Sequence, residues 1–279
     1  MSRQIPTFLK VILGFGFAFL YVPIFILIFY SFNASKLVAV WGGFSGKWYL
    51  KLLEDQSLMD ALMNSLKIGV MTAIFATVLG TVAGYVIARF GRFRGHSFFA
   101  STITAPLVMP EVITGLASLL LFISLEHLIG WPQGRGMLTI TITHITFAAS
   151  FVTVIVSSRL RDMDLSIEEA AMDLGASPLK VFFVIVLPII SPALISGALL
   201  AFTLSMDDLV ITSFVAGPGS TTLPMKVFSA VRLGISPKIN AIGTFIVLTA
   251  ASIVITMGII SNNLEKKHKK EAEQALEQS

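Results

Sequence analysis

The sequence predicts an all-α membrane protein of six transmembrane helices with both termini on the cytoplasmic side. Three observations carry that expectation. The first is composition. Of 279 residues, 55% are hydrophobic and 13% are charged, against roughly 25% charged in a soluble domain. With a mean hydropathy of +0.85, too few charges remain to cover a water-facing surface, so the bilayer is the expected solvent. The second is a series of apolar runs near the length of about 20 residues that a helix needs to cross a hydrocarbon core. The third is the gathering of Lys and Arg in alternate short connections.

The first run covers residues 11–32. It exceeds the roughly 7–15 apolar residues of a cleaved signal peptide and is read as a retained span. The second covers 68–88 and holds Gly80 and Gly84, a small-xxx-small pair that suits close helix packing. The third, 98–125, is interrupted by Pro106, Pro110 and Glu111. The fourth, 137–157, is the most polar, with Thr139, Thr141, Thr143, His144 and Thr146, and the count of six depends on it. The fifth, 181–204, contains Pro188 and Pro192, and the sixth covers 239–260.

Orientation follows from the basic residues. Arg89, Arg92 and Arg94 lie between runs two and three, and Arg159 and Arg161 between runs four and five. Arg3 and Lys10 precede the first run, and Lys266, Lys267, Lys269 and Lys270 follow the last. The connection between runs three and four carries Arg135 alone. The positive-inside bias then puts the termini and segment 166–178 in the cytoplasm, and connections 33–67 and 205–238 outside. The first outer connection holds Trp41, Trp48 and Tyr49 among Gly42, Gly43 and Gly46. It reads as an interfacial aromatic belt or as a contact surface for an external protein. The second holds Gly217-Pro218-Gly219 and Leu223-Pro224, turn signals compatible with partial re-entry. Residues 1–264 form one transmembrane domain, with no internal repeat, and 265–279 a charged cytoplasmic tail.

Composition also excludes. The chain has no cysteine, so disulfides, thiolate metal sites and a Cys nucleophile are ruled out. No metal site is expected. The net charge of +4 is explained by topology. No aromatic-interleaved basic patch points to nucleic acid, and membrane lipid is the expected surrounding. No H-E-x-x-H or G-x-S-x-G motif supports an intramembrane enzyme.

Three acids stand out. An ionised side chain at mid-bilayer costs at least about 2.5–3.5 kcal/mol, so Glu111 faces a cavity or partner unless it sits inert near one membrane face. The carbonyls freed by Pro106 and Pro110 suit a polar lining. Asp207 and Asp208 follow the fifth run, and adjacent residues cannot share one helix face. One of the two points into any pathway, unless both cap a helix end. Glu111 with Asp207 or Asp208 would line an anionic path for a cation, to which aromatic faces add about 0.5–2 kcal/mol. His144 is read as a hydrogen-bonded packing residue among threonines, in preference to a proton relay.

The polar segment 166–178 carries its own helix signals. Ser166 and Glu169 have capping-box spacing. Ile167, Ala170, Ala171 and Leu174 share one face, shallow enough for a groove on another protein. Gly175 is a C-terminal stop, and Ser177-Pro178 begins the next helix.

The literal residues add more. Glu169-Ala170-Ala171, three residues, Gly175, nine residues, Ile185, one residue, then Leu187-Pro188 resembles the EAA signature of ABC importer permeases. These are the membrane subunits of binding-protein-dependent systems. Segments 105–112, 205–210 and 229–237 resemble the polyamine branch, above all the second permease subunit of putrescine and spermidine importers. The likeness runs over nearly the whole chain. Many polyamine permeases have Asp where this chain has Glu111, which keeps the charge and changes the reach.

The resemblance implies a type I ABC importer permease fold in the bacterial cytoplasmic (inner) membrane, and a transport subunit rather than an enzyme. It implies that segment 166–175 is the coupling helix that docks on an ATPase. The coupling residues would be Glu169, Ala170, Ala171 and Gly175, with Glu168, Asp173 and Leu174 beside them. The chain holds no G-x-x-x-x-G-K-[ST] phosphate loop. No cofactor is therefore expected on it, and ATP and Mg belong to a separate cytoplasmic ATPase dimer. The other implied partners are a second homologous permease subunit and a periplasmic or extracellular polyamine-binding protein. The implied cargo is putrescine first and spermidine next. A permease for another small cation or solute stays open, as does an ATP-independent secondary carrier.

Overall fold

The computed structural model describes residues 6–37, 40–91, 93–233, 237–249, 251–252, 255–256 and 258–259. The sixth apolar run lies partly, and the charged tail wholly, outside the described residues. Among the described residues no named strand occurs, and the fold is helical: α1 Thr7–Ser31, α2 Lys47–Leu53, α3 Gln56–Arg89, α4 His96–Val108, α5 Glu111–Ile129, α6 Met137–Arg161 and α7 Ser166–Asp173. Then come α8 Pro178–Val181, a π-helical turn Phe182–Val186, α9 Leu187–Ile189, α10 Ser191–Asp207, α11 Val210–Val215 and α12 Leu223–Leu233. Residues 237–249 are helical as α13.

Among the described residues, α1, α3, α5 and α6 are each long and apolar enough to cross a membrane, and the bent α8–α10 stretch makes up to five. The third apolar run is not one helix. Met109 is extended at φ −76° and ψ 136° and Pro110 adopts ψ 136°, as expected for the residue before a proline and for a proline entering a helix. Glu111 therefore opens α5, itself a candidate span. The fifth run bends by 72° between Pro178–Ile189 and Ser191–Asp207, where Pro192 lacks the N–H that would continue the ladder.

The chain divides into two compact units. In the unit of residues 1–59 and 226–260, the connection between α1 and α2 is folded around Asn33. Its Oδ1 accepts from the N–H of Ser35 at 3.0 Å and Gly42 at 2.8 Å, its Nδ2 donates to Val40 O at 2.8 Å, and its own carbonyl accepts from Trp48 Nε1 at 2.7 Å. Trp41 stacks on Phe29 at 4.6 Å. Trp48 is buried and Tyr49 OH bonds to Ser31 Oγ at 2.6 Å. These rings hold the connection together, with Trp48 buried and Trp41 exposed. Asp55 and Lys238 form an ion pair, and the hydrogen bond from Lys238 holds the Asp55 carboxyl below the usual carboxylate range.

In the unit of residues 60–225 and 261–279, α6 is the centre. α4, α10 and α11 pack on it. Its Val152, Val156 and Leu160 share a buried cluster with Ala76 of α3, Val186 and Ala201. The approach of α3 is close: a Cβ on Gly80 would lie 2.6 Å from Val152 Cβ, and one on Gly84 3.0 Å from Val156 Cβ. The small-xxx-small pair is therefore the seam of the α3–α6 contact.

Candidate functional site

Following the C-terminal end of α6, α7 is a helix of two turns whose start differs from the expected capping box. Leu165 is already in helical conformation, and Ser166 makes no cap bond. Asp164 takes the role instead: its Oδ1 accepts the Ser166 N–H at 3.0 Å, which lowers the pKa of its exposed carboxyl. The stop is as expected. Gly175 has φ +88°, its N–H donates to Met172 O at 2.9 Å, and the Ala176 N–H donates to Ala171 O at 3.1 Å. This is the Schellman pattern, in which glycine takes the left-handed position without a Cβ clash. Ser177 then caps α8 through the Lys180 N–H at 3.4 Å, with Pro178 first in the helix.

The exposure of α7 runs against that of a soluble helix. Ile167 and Met172 are exposed at 42% and 43%, and Leu174 at 90%, whereas Glu168 is buried at 5%. Glu169, Ala170, Asp173 and Gly175 are exposed too, and Ala171 is half-buried. Arg89 Nε donates to Glu168 Oε1 at 2.7 Å, Arg89 Nη2 to Met163 O at 3.4 Å and Tyr85 OH to Glu168 Oε2 at 3.4 Å. Sequence reasoning placed Glu168 beside the docking residues and gave Arg89 a topological role only. A signal was present: a charged residue next to alanines needs a partner when the helix packs against protein.

The second polar cluster sits at the break between α10 and α11. Asp208 is extended, and its carboxylate caps α11. Oδ1 accepts from Ile211 N–H at 3.2 Å, and Oδ2 accepts from Thr212 N–H at 2.7 Å and Thr212 Oγ1 at 2.5 Å. His144, seven residues into α6, brings Nε2 to 3.2 Å from Asp208 Oδ2, while its Nδ1 lies 2.8 Å from Ser205 Oγ. Ser205 Oγ reaches Thr72 Oγ1 of α3 at 3.4 Å. His144 is thus a hydrogen-bonded packing residue, as expected. At 1.5 Å rise per residue it lies about 10 Å below the start of α6, so the capped break is well inside the bundle.

Of the adjacent acids, Asp208 is turned inward with a side chain 9% exposed, and Asp207 is exposed. Glu111 is exposed as well, and the Asp207 carboxylate takes a hydrogen bond from its own backbone. Gly115 of α5 abuts Ile211 and Phe214 of α11, and Phe122 joins Val215 in one core cluster. The two helices therefore run the same way, which puts Glu111 at the end of the pair where Asp207 and Asp208 lie. No group of acids, histidines or cysteines that could hold a metal occurs among the described residues.

A family model described as the binding-protein-dependent transport system inner membrane component matches residues 76–270. The chain belongs to this family. The permease is accordingly a multi-pass inner membrane protein, and a transport subunit rather than an enzyme. Among its relatives, the putrescine transport system permease protein PotI of Escherichia coli (strain K12) is 63% identical over 88% of this chain and 86% of its own length. The spermidine/putrescine transport system permease protein PotC of the same strain is 39% identical over 90% and 92%. In structure, the permease resembles a chain of a bacterial ABC transporter involved in the import of the acidic polysaccharide alginate. The TM-score is 0.68 at 17% identity, covering 91% of this chain and 94% of that one. A chain of the MetNI methionine ABC transporter matches with TM-score 0.60 at 17% identity, over 74% of this chain and 95% of that one. These likenesses establish the fold, and the acidic cargo of the first warns that fold alone does not name a cargo.

Proposed function

We propose that the permease is one of two membrane subunits of an ATP-driven importer that passes polyamine, putrescine first and spermidine second, from an external binding protein to the cytoplasm. The observation that carries the cargo is the 63% identity to a putrescine permease over most of both chains. The chemistry agrees with it. Two exposed carboxylates, Glu111 and Asp207, lie at the same end of the α5–α11 pair and offset the charge of a diamine without caging it, and transient passage needs such weak sites.

The rest of the arrangement follows from that reading. The chain has six spans with both termini inside. α7 is the coupling helix, and Glu169, Ala170, Ala171, Asp173, Leu174 and Gly175 form the surface that an ATPase dimer grips. ATP and Mg are bound by that dimer. A second, homologous permease completes the pathway, and the binding protein docks on the outer connections. Labelled putrescine and spermidine uptake by the reconstituted complex, each competing against the other, tests the cargo. Putrescine uptake with weaker competition by spermidine is expected. Transport of neither, in a complex whose ATPase is active, would overturn it.

A further inference from the structure

The side of α7 that faces its own chain has no role in the docking just described. It is nonetheless held by a buried ion pair. The Arg89 and Glu168 side chains are each 7% exposed, so water cannot replace either partner, and losing one would leave a buried charge uncompensated. Three bonds from one end of α3 meet there. Arg89 and Tyr85 of α3 hold both oxygens of Glu168, and Arg89 also holds the Met163 carbonyl in the α6–α7 connection. Tyr85 further packs edge-on against Phe182, just after α8, at 5.0 Å. One turn deeper, Gly84 of α3 is seated on Val156 of α6.

We propose that the Arg89–Glu168 pair is a joint that makes α7 and the inner end of α3 move as one body, so that a push on the exposed face of α7 reaches the membrane helices through α3. The proposal rests on reading α7 as the coupling helix. Glu168 and Arg89 are then positioning residues: they touch neither ATPase nor cargo, and they set how much of each ATP-driven displacement reaches the transport path. The exposed residues of α7 make the grip, and the buried acid transmits it.

The test uses the full complex with its ATPase and loaded binding protein. Glu168→Gln keeps the shape and removes the charge. We expect the ATPase to co-purify as in wild type and ATP turnover to persist. The ATP hydrolysed per putrescine imported should rise about fivefold or more, the lower end of an ordinary coupling energy. An unchanged ratio overturns the joint, and so does loss of the ATPase, which would make Glu168 a docking contact. Glu169→Lys is run in parallel: it should lose ATPase association and uptake. If both stay normal there, the coupling-helix reading falls, and the joint with it. A second measurement does not disturb the pair. The chain has no cysteine, so with cysteine-free partner chains Phe90→Cys and Ser166→Cys place one spin label directly after α3 and one on α7. One label distance, the same with and without ATP, is expected. A distance that changes with nucleotide overturns the proposal even if Glu168→Gln fails to assemble.

Discussion

α1 and α6 are both 25-residue helices, and they invert the rule for soluble proteins. α1 is the more apolar, yet none of its best membrane-crossing window is buried, whereas 56% of the α6 window is. In water the greasier helix would be inside. In lipid, apolar side chains gain nothing by burial, and helices associate through close packing and internal hydrogen bonds. α6 supplies both. Thr141, Thr143 and Thr153 hydroxyls donate to carbonyls four residues back in their own helix, so they are satisfied without a partner. Thr139 reaches across to Val215 O at 2.7 Å, and His144 ties three helices.

The strongest way to break this contrast is to add the same bulk to each side. Gly80→Leu, at the seam with α6, meets Val152 Cβ at 2.6 Å and the Ala149 carbonyl at 3.0 Å. A backbone atom cannot rotate away, so the loss should be about 3 kcal/mol, the upper end for overpacking. Gly14→Leu in α1 meets nothing within 4 Å and should stay within about 0.5 kcal/mol of wild type. Thermal unfolding midpoints in one detergent compare the two. Equal midpoints would mean that the α3–α6 seam is not what holds this bundle.

A smaller effect is expected at the polar end of the same helix. His144→Ala removes the ring that joins Ser205, Asp208 and Thr212, but Asp208 keeps its three donors from Ile211 and Thr212. Leaving part of a buried network unmade costs about 1–3 kcal/mol, read from the same midpoints. A wild-type midpoint would show that the α11 cap holds the break by itself.

Legibility divides along the line between local and long-range causes. Gly175, Ser177-Pro178 and the Gly80–Gly84 pair were readable because each acts within a turn of chain or through the mere absence of a side chain. The break at Glu111 was visible as prolines, but its outcome, a new helix start, depended on the extended Met109 and Pro110. Glu168 and Arg89 are 79 residues apart, and His144 and Asp208 are 64 apart. No periodicity reports such pairs. Burial of α6 over α1 was hidden for the same reason, because hydropathy measures affinity for lipid and not contact with protein.

In the unit of residues 1–59 and 226–260 the contrast predicts less. The Asp55–Lys238 pair is partly open, with side chains 27% and 32% exposed, and such pairs contribute about 0–1 kcal/mol. The folded Asp55 pKa lies below its unfolded value. Its contribution is therefore complete above about pH 4, where the unfolded carboxyl is also ionised, and fades as pH falls below that toward the lowered value. Asp55→Asn should lower the midpoint slightly at pH 7, and the difference from wild type should shrink as the pH is taken down from about 4. A difference that does not shrink as the pH falls would assign Asp55 a role beyond its charge.

The acids sharpen the comparison last, because the smallest stability change carries the largest functional claim. Glu168 and Asp208 are buried and bonded, so their loss should register in folding or coupling. Glu111 and Asp207 are exposed and bond no other residue's side chain among the described residues, so Glu111→Gln with Asp207→Asn should leave the unfolding midpoint within about 0.5 kcal/mol of wild type. If the two carboxylates meet the cargo, the double variant should nonetheless slow putrescine flux about tenfold at matched expression, the scale of one lost charge-assisted contact. A stable protein with slow flux separates a transport role from a structural one. A stable protein with normal flux would leave the cation path to other groups, and Asp208, held in its cap by His144, would still not be among the free ones.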